Sequence, residues 1–96
     1  GRHMPAARAY ELGLVNQVVP LDQLDDAVEE WLADILRCSP LAVRATKEAA
    51  MQGLDHPLPQ AYYTAYPANR RRENSEDTLE GPRAFAEKRP PKWTGR

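Results

Sequence analysis

The chain has 96 residues and a formal net charge of -1, from 13 Lys and Arg against 14 Asp and Glu. That length holds at most one domain, and so small a chain buries only about two-thirds or less of the surface its unfolded form exposes, which makes it lean on association. The balanced charge gives no global reason to expect nucleic acid or an anionic membrane as partner, no run approaches the roughly 20 apolar residues of a membrane span, and the N-terminus lacks a signal-peptide layout. Cys38 stands alone, which excludes an internal disulfide, does not suggest a zinc site, and fits a reducing, cytoplasmic compartment.

Gly1-Arg2-His3-Met4 has the look of a residue of tag removal except for Arg2. Residues 6 to 12 are strong helix formers, with Pro5 suited to a first turn and Gly13 suited to the position just past a helix end. Leu14-Val15-Asn16-Gln17-Val18-Val19 is apolar and rich in β-branched residues between Gly13 and Pro20, and it reads as a short strand. Nothing else in the chain looks like a partner for that strand, so its backbone groups call for pairing from elsewhere.

From Pro20 the pattern turns helical. Leu24, Ala27, Val28, Trp31, Leu32, Ile35 and Leu36 recur at the spacing of one apolar helix face, and Asp25, Asp26, Glu29, Glu30 and Asp34 occupy the other as a solvated acidic face. Ser39-Pro40 then restarts a helix as N-cap and first residue, and Gly53 ends it. Its Ala42, Ala45, Ala49 and Ala50 let another backbone approach closely. Two prolines mark residues 54 to 59 as a loop, a further helix carries Ala61, Tyr62, Ala65 and Tyr66, and Pro67 is expected to kink or end it. Residues 69 to 74 are polar and basic, which suits a solvated helix end and, as the sharper reading, an anion contact.

The last stretch reads as a turn capped by Ser75 and loaded with Glu76, Asp77 and Glu80, then a break at Gly81-Pro82, then a new helix from Pro82. In that helix Phe85 and Lys88 stand three residues apart on one face. An aromatic ring beside an ammonium is a receptor for an adenine nucleotide, the ring stacking the base and the lysine meeting a phosphate; the plainer reading is a core Phe beside a snorkelling Lys. No other constellation carries chemistry. His3 and His56 lie far apart, and no metal site, Ser/His/Asp arrangement or glycine-rich phosphate loop can be assembled.

At this point the residues resemble a family. Gly1 to Ala9 is similar to a glycine, hydrophobic, alanine-rich helix start; Gly13-Leu14-Val15-Asn16-Gln17-Val18-Val19-Pro20, Ser39-Pro40-Leu41-Ala42 with Thr46-Lys47, and the dense tail of Ser75, Asp77, Glu80, Gly81, Ala84, Phe85, Glu87, Lys88, Arg89, Pro91 and Trp93 follow in order. The chain resembles the C-terminal portion of the crotonase superfamily, the enoyl-CoA hydratase/isomerase proteins, and the resemblance implies that Gly1 to Met4 is native sequence rather than a residue of tag removal.

The resemblance implies a mainly α, C-terminal helical trimerisation segment of the crotonase fold, whose parent is an α/β ββα spiral. Residues 1 to 20 would end the core as a short helix and strand stub, and residues 21 to 96 would form a helical oligomerisation and CoA-covering region. It further implies that the oxyanion hole and glutamates of the chemistry lie in a domain before Gly1, so no catalytic residue falls in this chain and the chain alone is expected to be inactive. Phe85 and Lys88 match positions that approach the CoA adenine and phosphates, with an acyl-CoA thioester as substrate and no separate cofactor. Tyr62, Tyr63 and Tyr66 fall where a helix could line the acyl pocket. A homo-oligomer, trimer or hexamer, is implied. The parent reaction reads as reversible hydration of a 2-enoyl-CoA, with an isomerase or dehydratase of the same superfamily, or a self-standing helical assembly module, as alternatives.

Overall fold

The computed structural model describes residues 1–96 and is helical throughout, with no strand. Six α-helices follow one another: α1 (Ala6–Glu11), α2 (Leu24–Leu36), preceded by a 3-10 turn at Leu21–Gln23, α3 (Pro40–Gly53), α4 (Leu58–Tyr63), α5 (Pro67–Glu73) and α6 (Glu76–Ala86). The chain divides into two compact units, Gly1–Leu32 and Ala33–Arg96.

In the first unit α1 ends as Gly13 leads one to expect. Gly13 takes a φ of 71°, its N–H bonds the Tyr10 carbonyl at 2.9 Å, and the Leu14 N–H reaches back to the Ala9 carbonyl at 2.9 Å. This paired closure satisfies the carbonyls that a helix end leaves free. The strand expected over Leu14 to Val19 does not form: residues 14 to 16 bend and residues 17 to 20 run without regular structure. Strand propensity describes a fit to a pleated, half-buried surface, and no second strand supplies one here. The Trp31 indole N–H donates to the Gln17 side-chain carbonyl at 2.7 Å. No residue of Gly1–Leu32 is buried.

The second unit holds what core there is: Leu41, Ala45, Tyr66 and Ala84, with the polar residues Ser39, Ser75 and Asp77 buried among them. Ser39 caps α3 as its position before Pro40 predicts, its Oγ accepting from the Ala42 N–H at 3.4 Å. Pro67 opens a helix. Residues 64 to 66 are extended, as the residue before a proline must tend to be, and α5 starts at Pro67 itself. The Ala68 N–H, one of the donors that α5 leaves free, is met by Glu48 Oε2 of α3 at 2.7 Å. The Tyr66 hydroxyl donates to the Ala61 carbonyl at 3.1 Å and lies 3.4 Å from where a Cβ on Gly53 would stand, so the end of α3 has room for this ring because residue 53 has no side chain.

Two expectations for the last helix are corrected. Gly81-Pro82 does not break it: α6 runs unbroken through Pro82. An interior proline removes one backbone bond at a cost of about 3 kcal/mol, so interactions outside the helix must hold its two halves in line. Ser75 does not cap it either; its Oγ donates to the Arg72 carbonyl. The Glu76 N–H is instead met by the Arg96 carbonyl at 2.8 Å, from the far end of the chain.

Candidate functional site

Residues 90 to 96 fold back along α6, and two carboxylates on that helix hold them. Asp77 Oδ2 accepts from the Ser39 hydroxyl at 2.9 Å, and Asp77 Oδ1 accepts from the Thr94 N–H at 2.8 Å and from the Thr94 hydroxyl at 3.2 Å. The Gly95 N–H lies 3.3 Å from both oxygens. One buried carboxylate thus ties together the N-cap of α3, the first turn of α6 and the tail. Burial pushes its pKa up, but the hydrogen bonds from the Thr94 N–H, Ser39, the Gly95 N–H and the Thr94 hydroxyl outweigh that effect and hold it below the usual carboxylate value.

One turn on, Glu80 receives the Arg89 guanidinium through two bonds of 2.6 and 3.0 Å and the Lys92 N–H at 2.7 Å. The Arg89 hydrogen bonds and the Lys92 N–H bring its carboxyl down to about 2. The same contact raises the Arg89 pKa above its ordinary value. The Trp93 ring lies 3.4 Å from where a Cβ on Gly81 would stand, and its indole N–H donates to the Arg37 carbonyl at 2.9 Å. Asp77 and Glu80 sit before Pro82 and, Ser39 apart, their partners Arg89, Lys92, Thr94 and Gly95 follow it, so the segment after α6 is tied back across the missing hydrogen bond and splints the helix.

Phe85 and Lys88 are not two positions on one helix face. Phe85 is 88% exposed near the end of α6. Lys88 lies beyond that end with a φ of 52°, the left-handed conformation that favours glycine. The Lys88 N–H bonds the Phe85 carbonyl at 3.2 Å and the Arg89 N–H bonds the Ala84 carbonyl at 3.1 Å, the same closure that Gly13 makes for α1. Both side chains are solvent-facing. Tyr62 and Tyr66 line an open groove of about 690 Å³, together with alanines and Thr46 of α3 and with Asn69 and Arg72 of α5. Tyr63 stands outside that lining and packs edge-on against Tyr62, ring centroids 5.1 Å apart. No group of three or more His, Cys, Asp or Glu side chains could hold a metal ion. Sequence reading missed the roles of Asp77 and Glu80 as anchors. Their only local signal was a carboxylate pair one turn apart, which read as charge for a helix start.

The family model for enoyl-CoA hydratase/isomerase matches residues 1–96. The chain belongs to the enoyl-CoA hydratase/isomerase family. Carnitinyl-CoA dehydratase of Salmonella agona is 39% identical to it over 103 residues, covering 100% of this chain and 38% of the relative. Among solved structures, an enoyl-CoA hydratase/isomerase from Mycobacterium paratuberculosis is 44% identical with a TM-score of 0.89, over 97% of this chain and 37% of that one. An enoyl-CoA hydratase from Bacillus anthracis is 36% identical with a TM-score of 0.91, over 100% of this chain and 37% of that one. The chain therefore spans less than two-fifths of the length of these family members. It is a mainly helical segment of the crotonase fold. No helix in it is long and apolar enough to cross a membrane.

Proposed function

We propose that the chain is the C-terminal part of a cytoplasmic acyl-CoA-processing enzyme that reversibly hydrates a 2-enoyl-CoA, and that residues 21 to 96 serve subunit assembly and CoA binding while the catalytic residues lie outside the chain. The family match across residues 1–96 carries this reading. The exposed Phe85 ring and the solvent-facing Lys88 ammonium are placed, on this reading, against the adenine and a phosphate of CoA. Lys88 occupies a position where glycine would be less strained, and keeping a lysine there is consistent with a use for its side chain.

Assembly is supported by the amount of apolar surface left open. Leu24, Val28, Trp31, Leu32 and Ile35 of α2 are all exposed, as are Leu58, Tyr62 and Tyr63 of α4. Apolar stripes of this kind mark interfaces. A trimer or hexamer is the assembly proposed.

Titrating CoA against the oligomer, in the wild type and in a Phe85→Ala, Lys88→Ala double variant, tests the site; binding lost or weakened in the variant is the expected result. Unchanged binding would leave assembly as the segment's whole role. Hydration of crotonyl-CoA by the 96-residue chain alone is expected to stay at background, and turnover above it would overturn the division of labour.

A further inference from the structure

Lys88 is the one non-glycine residue of the chain with a positive φ, and the bonds on either side of it hold it there. Behind it, the Lys88 and Arg89 N–H groups close α6 on the Phe85 and Ala84 carbonyls. Ahead of it, the half-buried Arg89 side chain turns back to the helix. Its Nη1 and Nη2 donate to the two oxygens of Glu80 at 2.6 and 3.0 Å, and its Nε donates to Glu87 Oε2 at 2.6 Å. One guanidinium thus occupies two carboxylates at once, which its planar fork permits and an ammonium would not. Glu87 is next to Lys88 in the chain and its side chain is 53% exposed, so Arg89 engages a carboxylate within reach of solvent. The exposed Lys88 takes no part in any ion pair of the chain.

We propose that Arg89 is a positioning residue for CoA binding: by occupying Glu80 and Glu87 it keeps their charge off the neighbouring ammonium and leaves Lys88 free to meet a phosphate of CoA. This rests on the CoA reading of Phe85 and Lys88 given above and adds a residue to it that does not itself touch the ligand. Without Arg89, Glu80 keeps the Lys92 N–H as a partner, whereas Glu87 loses its only one. Glu87 is then the carboxylate that turns to Lys88, and it also repels the incoming phosphate.

CoA titration of the assembled protein, set beside urea unfolding, gives the test. Arg89→Gln is expected to weaken CoA binding about three- to fivefold, the range that an exposed ion pair between Glu87 and Lys88 can withdraw. In a Lys88→Gln background the same change should cost less than about 1.5-fold, because a residue that acts through Lys88 has nothing left to act on. Adding Glu87→Gln to Arg89→Gln should recover most of the lost affinity while the unfolding midpoint stays lowered, since the bond to Glu80 is still missing. An equal loss with and without Lys88, or no recovery on adding Glu87→Gln, overturns the proposal and leaves Arg89 a residue of the splint alone. Should Arg89→Gln fail to fold, Arg89→Lys takes its place: one ammonium can stay with Glu80 and release Glu87, and the same loss and recovery are expected. Unchanged binding in Lys88→Gln by itself would overturn the CoA reading and this proposal with it. A measurement without CoA separates the two. Labelling of Lys88 by trinitrobenzenesulfonate, relative to Lys47 of α3, should slow in Arg89→Gln and return on adding Glu87→Gln, because an ammonium drawn to a carboxylate gives up its proton less readily. Unchanged labelling, with CoA binding still weakened by Lys88→Gln, would sink this proposal and leave the CoA reading standing.

Discussion

The two units of the chain invert what their sequences suggest about stability. Gly1–Leu32 contributes most of the most regular apolar helix, yet none of its residues is buried. Ala33–Arg96 is broken by prolines and charged throughout, yet it holds every buried residue. The difference lies in what the apolar and polar groups meet. On α2 the apolar stripe meets nothing within the chain that buries it, whereas in the second unit a carboxylate, a serine and a folded-back tail meet one another. Apolar periodicity marks a face that will be covered by something, and it does not say by what. Long-range polar contacts to Asp77 and Glu80 decide which part of this chain is organised by itself.

Removing Asp77 should break that contrast most. Asp77→Ala leaves the Ser39 hydroxyl and the Thr94 and Gly95 N–H groups without their acceptor in a buried setting, and the expected loss is about 3 kcal/mol. Urea unfolding followed by circular dichroism measures it; a loss close to that of a surface substitution would show that the tail is not what holds the second unit. Acid should act on the same contacts. Both Asp77 and Glu80 have folded pKa values below their ordinary ones, so their contribution is complete above the unfolded carboxylate pKa and disappears as the pH falls through the folded value. For Glu80 that window runs from its ordinary 4.5 down to about 2. Trp93 fluorescence should report release of the tail in this window, and Glu80→Gln should flatten the lower part of the profile.

Next in size is Trp93→Ala, expected to cost about 2 kcal/mol by urea unfolding, since the ring is partly covered and its N–H anchors the tail to the Arg37 carbonyl. Gly81→Ala should change the unfolding midpoint less, because the 3.4 Å approach to the Trp93 ring asks it to give only a few tenths of an ångström and the about 0.5 to 1 kcal/mol that alanine gains over glycine inside a helix offsets that cost.

Much of the helical layout was legible for local reasons. The Ser39-Pro40 start, the Gly13 end and the α2 stripe are signals in which a few adjacent residues determine the outcome, whereas Gly53 is the last residue inside α3 and the helix is capped by a right-handed Leu54. The expectations that failed needed distant partners. Leu14 to Val19 has the composition of a strand, but a strand exists only with a neighbour. Gly81-Pro82 has the composition of a break, but Asp77 and Glu80 are tied to residues 12 to 18 positions away that bridge it. Phe85 and Lys88 were separated by a helix end that no local rule placed, because a lysine fills the left-handed position that normally announces itself as glycine. The family resemblance was legible because the tail motif is dense, and five of its eleven residues form the splint: Asp77, Glu80, Gly81, Arg89 and Trp93 all contact one another's segments.

Lys88→Gly should raise stability by about 0.5 to 1 kcal/mol by relieving the left-handed strain, while removing the ammonium proposed to meet CoA. A rise in unfolding midpoint with weakened CoA titration would set stability against binding at one residue. A fall in stability would instead show that the lysine side chain supports the fold.

The smallest effect expected tests the first unit directly. Val28→Ser removes a methyl-bearing side chain from the α2 stripe at a position 46% exposed, and Val and Ser have similar intrinsic helix propensity. In a chain whose first unit is open, the substitution should alter unfolding by no more than about 0.5 kcal/mol, the range of ordinary surface changes. The same substitution in the assembled protein should cost more, because there the stripe is proposed to be covered and the hydroxyl would enter without a partner. Equal small effects in both states would show that α2 stays open on assembly, and a large effect in the isolated chain would show that the stripe is already packed. The contrast between the two units therefore turns on one measurement made twice, with and without the surface that α2 is proposed to meet.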